Sequence, residues 1–282
     1  MALTVNTNTT SLGVQKNLNR ASDALSTSMT RLSSGLKINS AKDDAAGLQI
    51  ATRMTSQIRG QTMAIKNAND GISIAQTAEG AMQEQTNILQ RMRELAVQSR
   101  NDSNSANDRD ALNKEFQSMA SELTRIAQST QLNGKNLLDG SASTMTFQVG
   151  SNTGGMNQID IDLSAKFTAS DLGITSSIAI TGATSSAAEA NFSAAVSAID
   201  TALQKINTSR ADLGAAQNRL TSTINNLQNI NENAEAARGR VQDTDFAAET
   251  AQLTKQQTLQ QASTSILSQA NQLPSAVLKL LQ

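Results

Sequence analysis

Residues 199–227 read IDTALQKINTSRADLGAAQNRLTSTINNL, and an aliphatic residue occupies every seventh position. These positions are Ile199, Ile206, Leu213, Leu220 and Leu227. A sustained seven-residue repeat keeps one apolar stripe on a helix face and favours left-handed supercoiling with neighbouring helices. We therefore predict a long helix from about Ala187 to Arg238 that packs against other helices.

Two further helical tracts precede this one. Ile58, Ile65 and Ile72 share one face of a tract from about Asp44 to Arg100. The same tract carries apolar residues at sevens, namely Ala68, Ala75, Met82, Leu89 and Ala96. At about 1.5 Å per residue this helix would approach about 85 Å, a length that suits a rod. The loop 101–107, rich in Asn, Asp and Ser, is predicted to end it, and a third helix is predicted over about 108–129.

The ends of the chain carry two apolar seams that step alternately by four and three residues. The first helix, predicted from about residue 5 to 34, has the seam Leu18, Ser22, Leu25, Met29, Leu32 and Leu36. The last, predicted from about residue 246 to 281, has the seam Leu259, Ser263, Ile266, Ala270, Leu273, Val277 and Leu280. Gly35 is expected to stop the first helix, and Pro274 is expected to bend or break the last.

Each terminal seam needs an apolar partner, because single helices with narrow stripes are marginally stable in water. We predict that the two seams pack on each other and on neighbouring chains. From the spacing alone, an intramolecular coiled coil without a polymer is an equal alternative. The polar members Ser22 and Ser263 either set the register or face a wetter side of the pair.

The middle of the chain has a strand pattern. Met145, Phe147 and Val149 alternate with polar residues, and so do Ile159, Ile161 and Leu163. This alternation predicts a β-hairpin over about 144–163. Gly154 and Gly155 are interpreted as part of its turn, since no Lys and helix follow as in a phosphate-binding loop. Residues 174–186 are rich in Ser, Thr, Ala and Gly and are predicted to form a short exposed variable loop.

Together these patterns predict a mainly α, elongated, nested helical bundle or coiled coil with a small β-hairpin region. We expect a terminal coiled-coil domain of residues 1–42 plus 243–282. A rod-shaped helical domain would comprise residues 43–173 plus 187–242. With Ser40 upstream, Asp43 and Asp44 are interpreted as helix-start residues in preference to a cation site.

Composition argues against most enzyme classes. The chain has no His and no Cys, so the commonest general base, the thiolate nucleophile and the usual zinc ligands are missing. We predict no enzyme activity, no cofactor and no metal site. The formal net charge is −1, which argues against nucleic acid as a partner. No apolar run is long enough for membrane insertion. Residues 1–10 lack the pattern of a secretory signal, so we expect either a cytoplasmic protein or export by another route.

Several longer motifs resemble bacterial flagellin. They are SSGLKINSAKDDAAG at 33–47, NANDGISIAQTAEG at 67–80, LQRMRELAVQ at 89–98, DTDFAAE at 243–249 and LPSAVLKLLQ at 273–282. The resemblance covers about 1–175 and 190–282. It implies a secreted, extracellular subunit that forms a helical homopolymer, the flagellar filament, with the terminal domain lining its core.

The resemblance also implies partners. These are the flagellar type III export apparatus, an export chaperone, and the cap and junction proteins of the filament. The positions Arg91, Leu95 and Glu115 match those through which flagellin contacts the innate immune receptor Toll-like receptor 5. Large outer domains of longer flagellins are absent, and the Ser and Thr residues of 141–186 resemble regions that carry O-linked sugars in some bacteria. A hook–filament junction protein, which shares the terminal pattern, is the alternative.

Overall fold

The computed structural model describes residues 7–182 and 184–280, with side chains described as far as residue 272. Among these residues are five α-helices: α1 (Thr9–Ser34), α2 (Ala45–Ser99), α3 (Ala106–Ser129), α4 (Ser185–Gln242) and α5 (Phe246–Leu280). They also contain two antiparallel strand pairs: β1 (Gln131–Leu132) with β2 (Lys135–Asn136), and β3 (Ser143–Gln148) with β4 (Gln158–Leu163). The mainly α fold with a small β-hairpin region is confirmed.

The described chain divides into two compact units. Unit 1 contains the residues up to Ile58 and from Glu232 onward, and unit 2 contains Arg59–Asn231. Each unit therefore combines an N-terminal and a C-terminal part of the chain, as a nested layout requires. The divisions lie within α2 and α4, further from the chain ends than the domain boundaries expected at 42/43 and 242/243.

The helix ends follow local sequence signals. Gly35 ends α1 with a positive φ of 72°, and its N–H donates to the carbonyl of Arg31. At the start of α2, Asp44 accepts hydrogen bonds of 3.0 Å from the N–H groups of Ala46 and Gly47, so its interpretation as a helix-start residue is confirmed. The helix α5 continues through Pro274, so the predicted break at that residue is absent.

The turn before α2 is closed by Asp43. Its carboxylate accepts hydrogen bonds from the N–H and hydroxyl of Ser40 and from the N–H of Asn39. The backbone hydrogen bond from Ser40 is the largest cause that lowers the pKa of Asp43. Asp43 and Asp44 thus have separate capping roles, one on the turn and one on the helix.

Unit 2 holds one large hydrophobic core, to which α2, α3, α4 and the β3–β4 hairpin contribute. The α2 residues predicted at sevens are all buried in it: Ala68, Ala75, Met82, Leu89 and Ala96. On α4, Ile199, Ile206, Leu213 and Leu220 are buried in the same core. A Cβ added at Gly71 would lie 3.2 Å from side-chain atoms of Leu220 and Phe147. The small residue therefore lets α2, α4 and the hairpin converge.

The segment predicted as an exposed loop contributes to this core, which corrects the prediction for its isoleucines. Ile174 and Ile180 are only 2% and 1% exposed, and the N–H of Ile180 donates to the side chain of Asn113 on α3. The Ser- and Thr-rich composition suggested a solvated loop, but two apolar side chains of the segment pack against the helices. The short β1–β2 pair was missed, although the Asn133-Gly134 turn between its strands is a hairpin signal.

Candidate functional site

The terminal helices α1 and α5 pack antiparallel in unit 1. Near one end of the pair, Asn8 donates to the carbonyl of Ala270 at 2.8 Å. Near the other, Arg31 and Glu249 form an ion pair at 3.6 Å. The α1 stripe that is buried or half-buried consists of Val14, Leu18, Ala21, Leu25, Ser28 and Leu32. The matching α5 stripe consists of Leu253, Gln256, Gln260, Ser263, Leu267 and Ala270.

These stripes include only part of the predicted seams. Leu18, Leu25 and Leu32 lie on the α1 stripe, and Ser263 and Ala270 lie on the α5 stripe. The other described helical seam residues point to solvent instead: Ser22 is exposed, and Met29, Leu259 and Ile266 are 57%, 44% and 51% exposed. The side chains of the seam residues Leu273, Val277 and Leu280 are not among those that the structure describes.

The physical reason is the size of the residues at the contact. The small side chains of Ala21 and Ser28 lie on the stripe one position before Ser22 and Met29, and they allow a close approach of α5. Hydrophobicity alone predicted that Met29 and not Ser28 would lie at the contact, whereas close packing of the helices favours the smaller residue there. Three large apolar side chains are thereby left on the outside of the pair, where they can contact another molecule.

Backbone hydrogen bonds join the connections next to the terminal pair. Leu36, the last residue of the predicted α1 seam, follows the helix end and forms an antiparallel bridge with Asp243. The N–H of Lys37 donates to Gln242 at 2.7 Å, and the N–H of Thr244 donates to Gly35 at 3.0 Å. The two connections that lead into α2 and α5 are therefore held side by side.

The predicted receptor-contact residues lie on α2 and α3. Arg91 forms ion pairs with Glu94 at 2.9 Å and with Glu115 at 3.0 Å. The hydrogen bond to Glu94, followed by that to Glu115, raises the pKa of Arg91. Arg91 and Glu115 are thus adjacent on the surface. Leu95 is fully buried in the unit 2 core, so it supports α2 from beneath and presents no surface to a receptor.

Two apolar features of the unit 2 surface had no sequence signal. The first, here called the Val97 recess, is a shallow depression of about 440 Å³ lined by Gln90, Arg93, Glu94, Val97 and Gln98. Val97 itself is 56% exposed. The second is Met156, which is 100% exposed in the loop between β3 and β4.

Within the described part of the chain, no group of three or more acidic residues is placed to hold a metal ion. None of the helices described there combines the length and the apolar character needed to cross a membrane.

Comparison with known proteins identifies the family. A family model for the bacterial flagellin N-terminal helical region matches residues 5–143, and one for the C-terminal helical region matches residues 196–281. The chain is 40% identical to Flagellin A of Vibrio anguillarum and 42% identical to Flagellin C of the same organism. Both alignments cover all of both chains.

Two solved structures are similar. A crystal structure of Bacillus cereus flagellin aligns with a TM-score of 0.47 at 32% identity and covers 57% of this chain and 88% of its own. A putative flagellar hook-associated protein from Vibrio parahaemolyticus aligns with a TM-score of 0.59 at 14% identity, covering 71% of this chain and 100% of its own, which shows the fold alone. Flagellins are structural proteins, not enzymes, and they polymerise into the extracellular flagellar filament. The two family matches and the full-length identities show that this chain belongs to the bacterial flagellin family.

Proposed function

We propose that this chain is the subunit of a flagellar filament that propels swimming, and that its copies assemble through the α1–α5 pair, which lines the filament core. The observation that carries the proposal is the outward face of this pair. Met29, Leu259 and Ile266 are large apolar residues exposed on two thin helices. Their burial against other copies would remove apolar surface from water and favour a polymer.

The test replaces two of these side chains by carboxylates. The variant Leu259→Asp/Ile266→Asp should keep its helical circular dichroism and yet form no filaments by electron microscopy, because charges would enter the contact between copies. The matched control, Gln257→Asp/Ser265→Asp, changes two exposed polar residues of the same helix and should assemble. Normal filaments from the first variant would refute assembly through this face.

The alternative role is that of a hook–filament junction protein. The two roles differ in copy number, because a filament subunit forms the bulk of sheared surface filaments and a junction protein occurs in a few copies at the hook. Quantitative mass spectrometry of sheared filaments, together with a motility assay of a deletion strain, distinguishes them. We expect this chain to be the main component and the deletion strain not to swim.

We also propose that the chain is exported through the flagellar type III apparatus with an export chaperone. It is then inserted into the filament beneath a cap and above junction proteins. The absence of Cys supports it, since no disulfide can prevent the chain from passing through a channel unfolded. The protein should remain inside cells that lack the export apparatus. Its appearance in the medium of such cells would contradict this route.

Recognition of the monomer by Toll-like receptor 5 is proposed through Arg91 and Glu115, with Leu95 as support beneath them. Arg91→Ala/Glu115→Ala should lower receptor signalling in reporter cells without changing the thermal melting of the monomer. The control Glu122→Ala/Arg125→Ala removes another exposed ion pair of comparable length on α3. Intact filaments should signal more weakly per subunit than monomer. Equal signalling by filament and monomer would refute the idea that assembly covers this surface.

A further inference from the structure

The loop 149–157 between β3 and β4 presents an apolar side chain on a fixed backbone. The N–H of Val149 donates to the carbonyl of Asn157 at 2.8 Å, and the N–H of Asn157 donates to Gly154 at 3.0 Å. The side chain of Gln148 spans the loop and donates to the carbonyls of Gly150 and Asn152. Met156 is nevertheless fully exposed. A loop already ordered loses little conformational entropy when it binds, so Met156 suits a role as a contact residue.

The Val97 recess suits an uncharged, apolar partner. The charged residues at its rim are already paired within the subunit, Arg93 with Asp200 at 2.6 Å and Glu94 with Arg91 at 2.9 Å. An apolar side chain that enters the recess would therefore leave these ion pairs intact. The loop 149–157 contains no charged residue, so it meets this requirement.

The loop and the recess lie far apart along the same helix. The loop packs beside the first turns of α2 in unit 2, because a Cβ added at Gly60 would lie 2.9 Å from the Cβ of Ser151. Val97 follows Gly60 by 37 residues, which is about 55 Å of helix at 1.5 Å per residue. Met156 therefore cannot reach the recess of its own subunit. A contact between unlike surfaces of two copies is heterologous, and its repetition builds an open helical polymer when the rotation between copies does not close into a ring.

We propose that Met156 of one copy inserts into the Val97 recess of the next copy along the filament. This inference rests on the proposed filament function and names one contact within it. The occupant is a second copy of this chain, since flagellins homopolymerise and the recess accepts an uncharged loop of the kind that the same unit presents. Met156 is then a knob and Val97 the floor of its hole.

Cysteine cross-linking tests the contact without background disulfides, because the natural chain has no Cys. Filaments of Met156→Cys/Val97→Cys, treated with a mild oxidant, should give a ladder of linked subunits on a non-reducing gel. The two single variants should give none, and neither should Met156→Cys/Gln83→Cys, in which the second cysteine is at an exposed position of α2 outside the recess. Filaments that form without a ladder would overturn the knob contact and leave the proposed function standing. Failure of the unaltered protein to form filaments would overturn the function itself.

A second measurement decides the matter if the double-cysteine variant does not assemble. Met156→Leu keeps an apolar knob and should assemble at the concentration that the unaltered protein needs. Met156→Asp should raise the critical concentration by about tenfold, because a carboxylate would enter the apolar recess. Both monomers should melt at the same temperature, since Met156 has no contact to lose within its subunit. An unchanged critical concentration for Met156→Asp would also overturn the contact.

Discussion

The side-chain amide of Gln85 donates a hydrogen bond of 2.9 Å to the backbone carbonyl of Phe167, 82 residues away in the chain. The same amide donates to the carbonyl of Leu123 at 3.2 Å, and Gln85 is completely buried. One polar side chain on α2 therefore binds two other segments of unit 2 from inside the core. A buried carbonyl that loses its donor costs free energy, because no water replaces the bond.

The first prediction concerns this residue. Gln85→Leu should lower the free energy of unfolding by about 1–3 kcal/mol, since the carbonyl of Phe167 loses its donor while the volume of the side chain changes little. Urea unfolding followed by circular dichroism measures the change. The control Gln83→Leu, at an exposed position of the same helix, should change it by less than about 0.5 kcal/mol. Equal stabilities of the two variants would contradict a net stabilising contribution of the Gln85 side chain.

The second prediction compares two glycines of α2 that both lie in unit 2. A Cβ added at Gly80 meets no atom within 4 Å, so Gly80→Ala should raise the free energy of unfolding by about 0.8–1 kcal/mol through helix propensity. A Cβ added at Gly60 would lie 2.9 Å from the Cβ of Ser151. Gly60→Ala should therefore be less stable than Gly80→Ala by about 1–3 kcal/mol, the usual cost of overpacking. Thermal melting of the two variants side by side is the measurement, and equal melting temperatures would contradict the close approach.

The third prediction concerns acid. Ser105 and Asp108 form a capping box at the start of α3, and the hydrogen bond from the Ser105 hydroxyl is the main cause that lowers the pKa of Asp108. A carboxylate whose pKa is lower in the folded state than in the unfolded state stabilises the fold above about pH 4, which is its pKa in the unfolded chain. This stabilisation is lost as the pH falls through the folded-state pKa. The amide oxygen of asparagine can still accept a hydrogen bond from Ser105, and asparagine does not titrate. The melting temperature of the unaltered protein should thus fall more between pH 6 and pH 3 than that of Asp108→Asn.

Other carboxylates titrate in both proteins of this comparison. Hydrogen bonds lower the pKa values of Asp43, Asp139 and Asp162 as well, with Ser40, Ser141 and Ser164 as the largest respective causes. Their contributions cancel when the two melting curves are subtracted. Identical pH profiles for the two proteins would mean that the Asp108 cap does not contribute to stability.

The fourth prediction concerns proteolysis of dilute monomer. Among the described residues, the buried hydrophobic side chains of unit 1 are Ala21, Ile38, Ala51, Ile58 and Ala270, whereas unit 2 has a large continuous core. Few buried apolar contacts imply a low free energy of local opening. Limited trypsin digestion should therefore degrade unit 1 first and leave a fragment close to residues 59–231. Assembly should protect unit 1 by mass action. Full resistance of monomeric unit 1 would contradict the prediction.

Much of the fold could be predicted from local patterns. The seven-residue repeat of residues 199–227 identified the helix whose stripe enters the unit 2 core, and the alternation around Phe147 and Ile161 identified β3 and β4 to within one residue. Gly35 marked the end of α1. These signals are local, because backbone conformation and the side of an element that is apolar depend on residues close in the chain. The flagellin motifs likewise identified the family.

The sequence by itself thus determined which segments are helices, which form the hairpin and which face of each is apolar. Only the tertiary structure decided which apolar side chains are covered. It placed Ala21 and Ser28 against α5 and left Met29 outside, it buried Leu95 and Ile180, and it separated Met156 from the Val97 recess along α2. The physical reason is that close packing depends on the size and approach of a distant partner, and a local pattern contains no information about either.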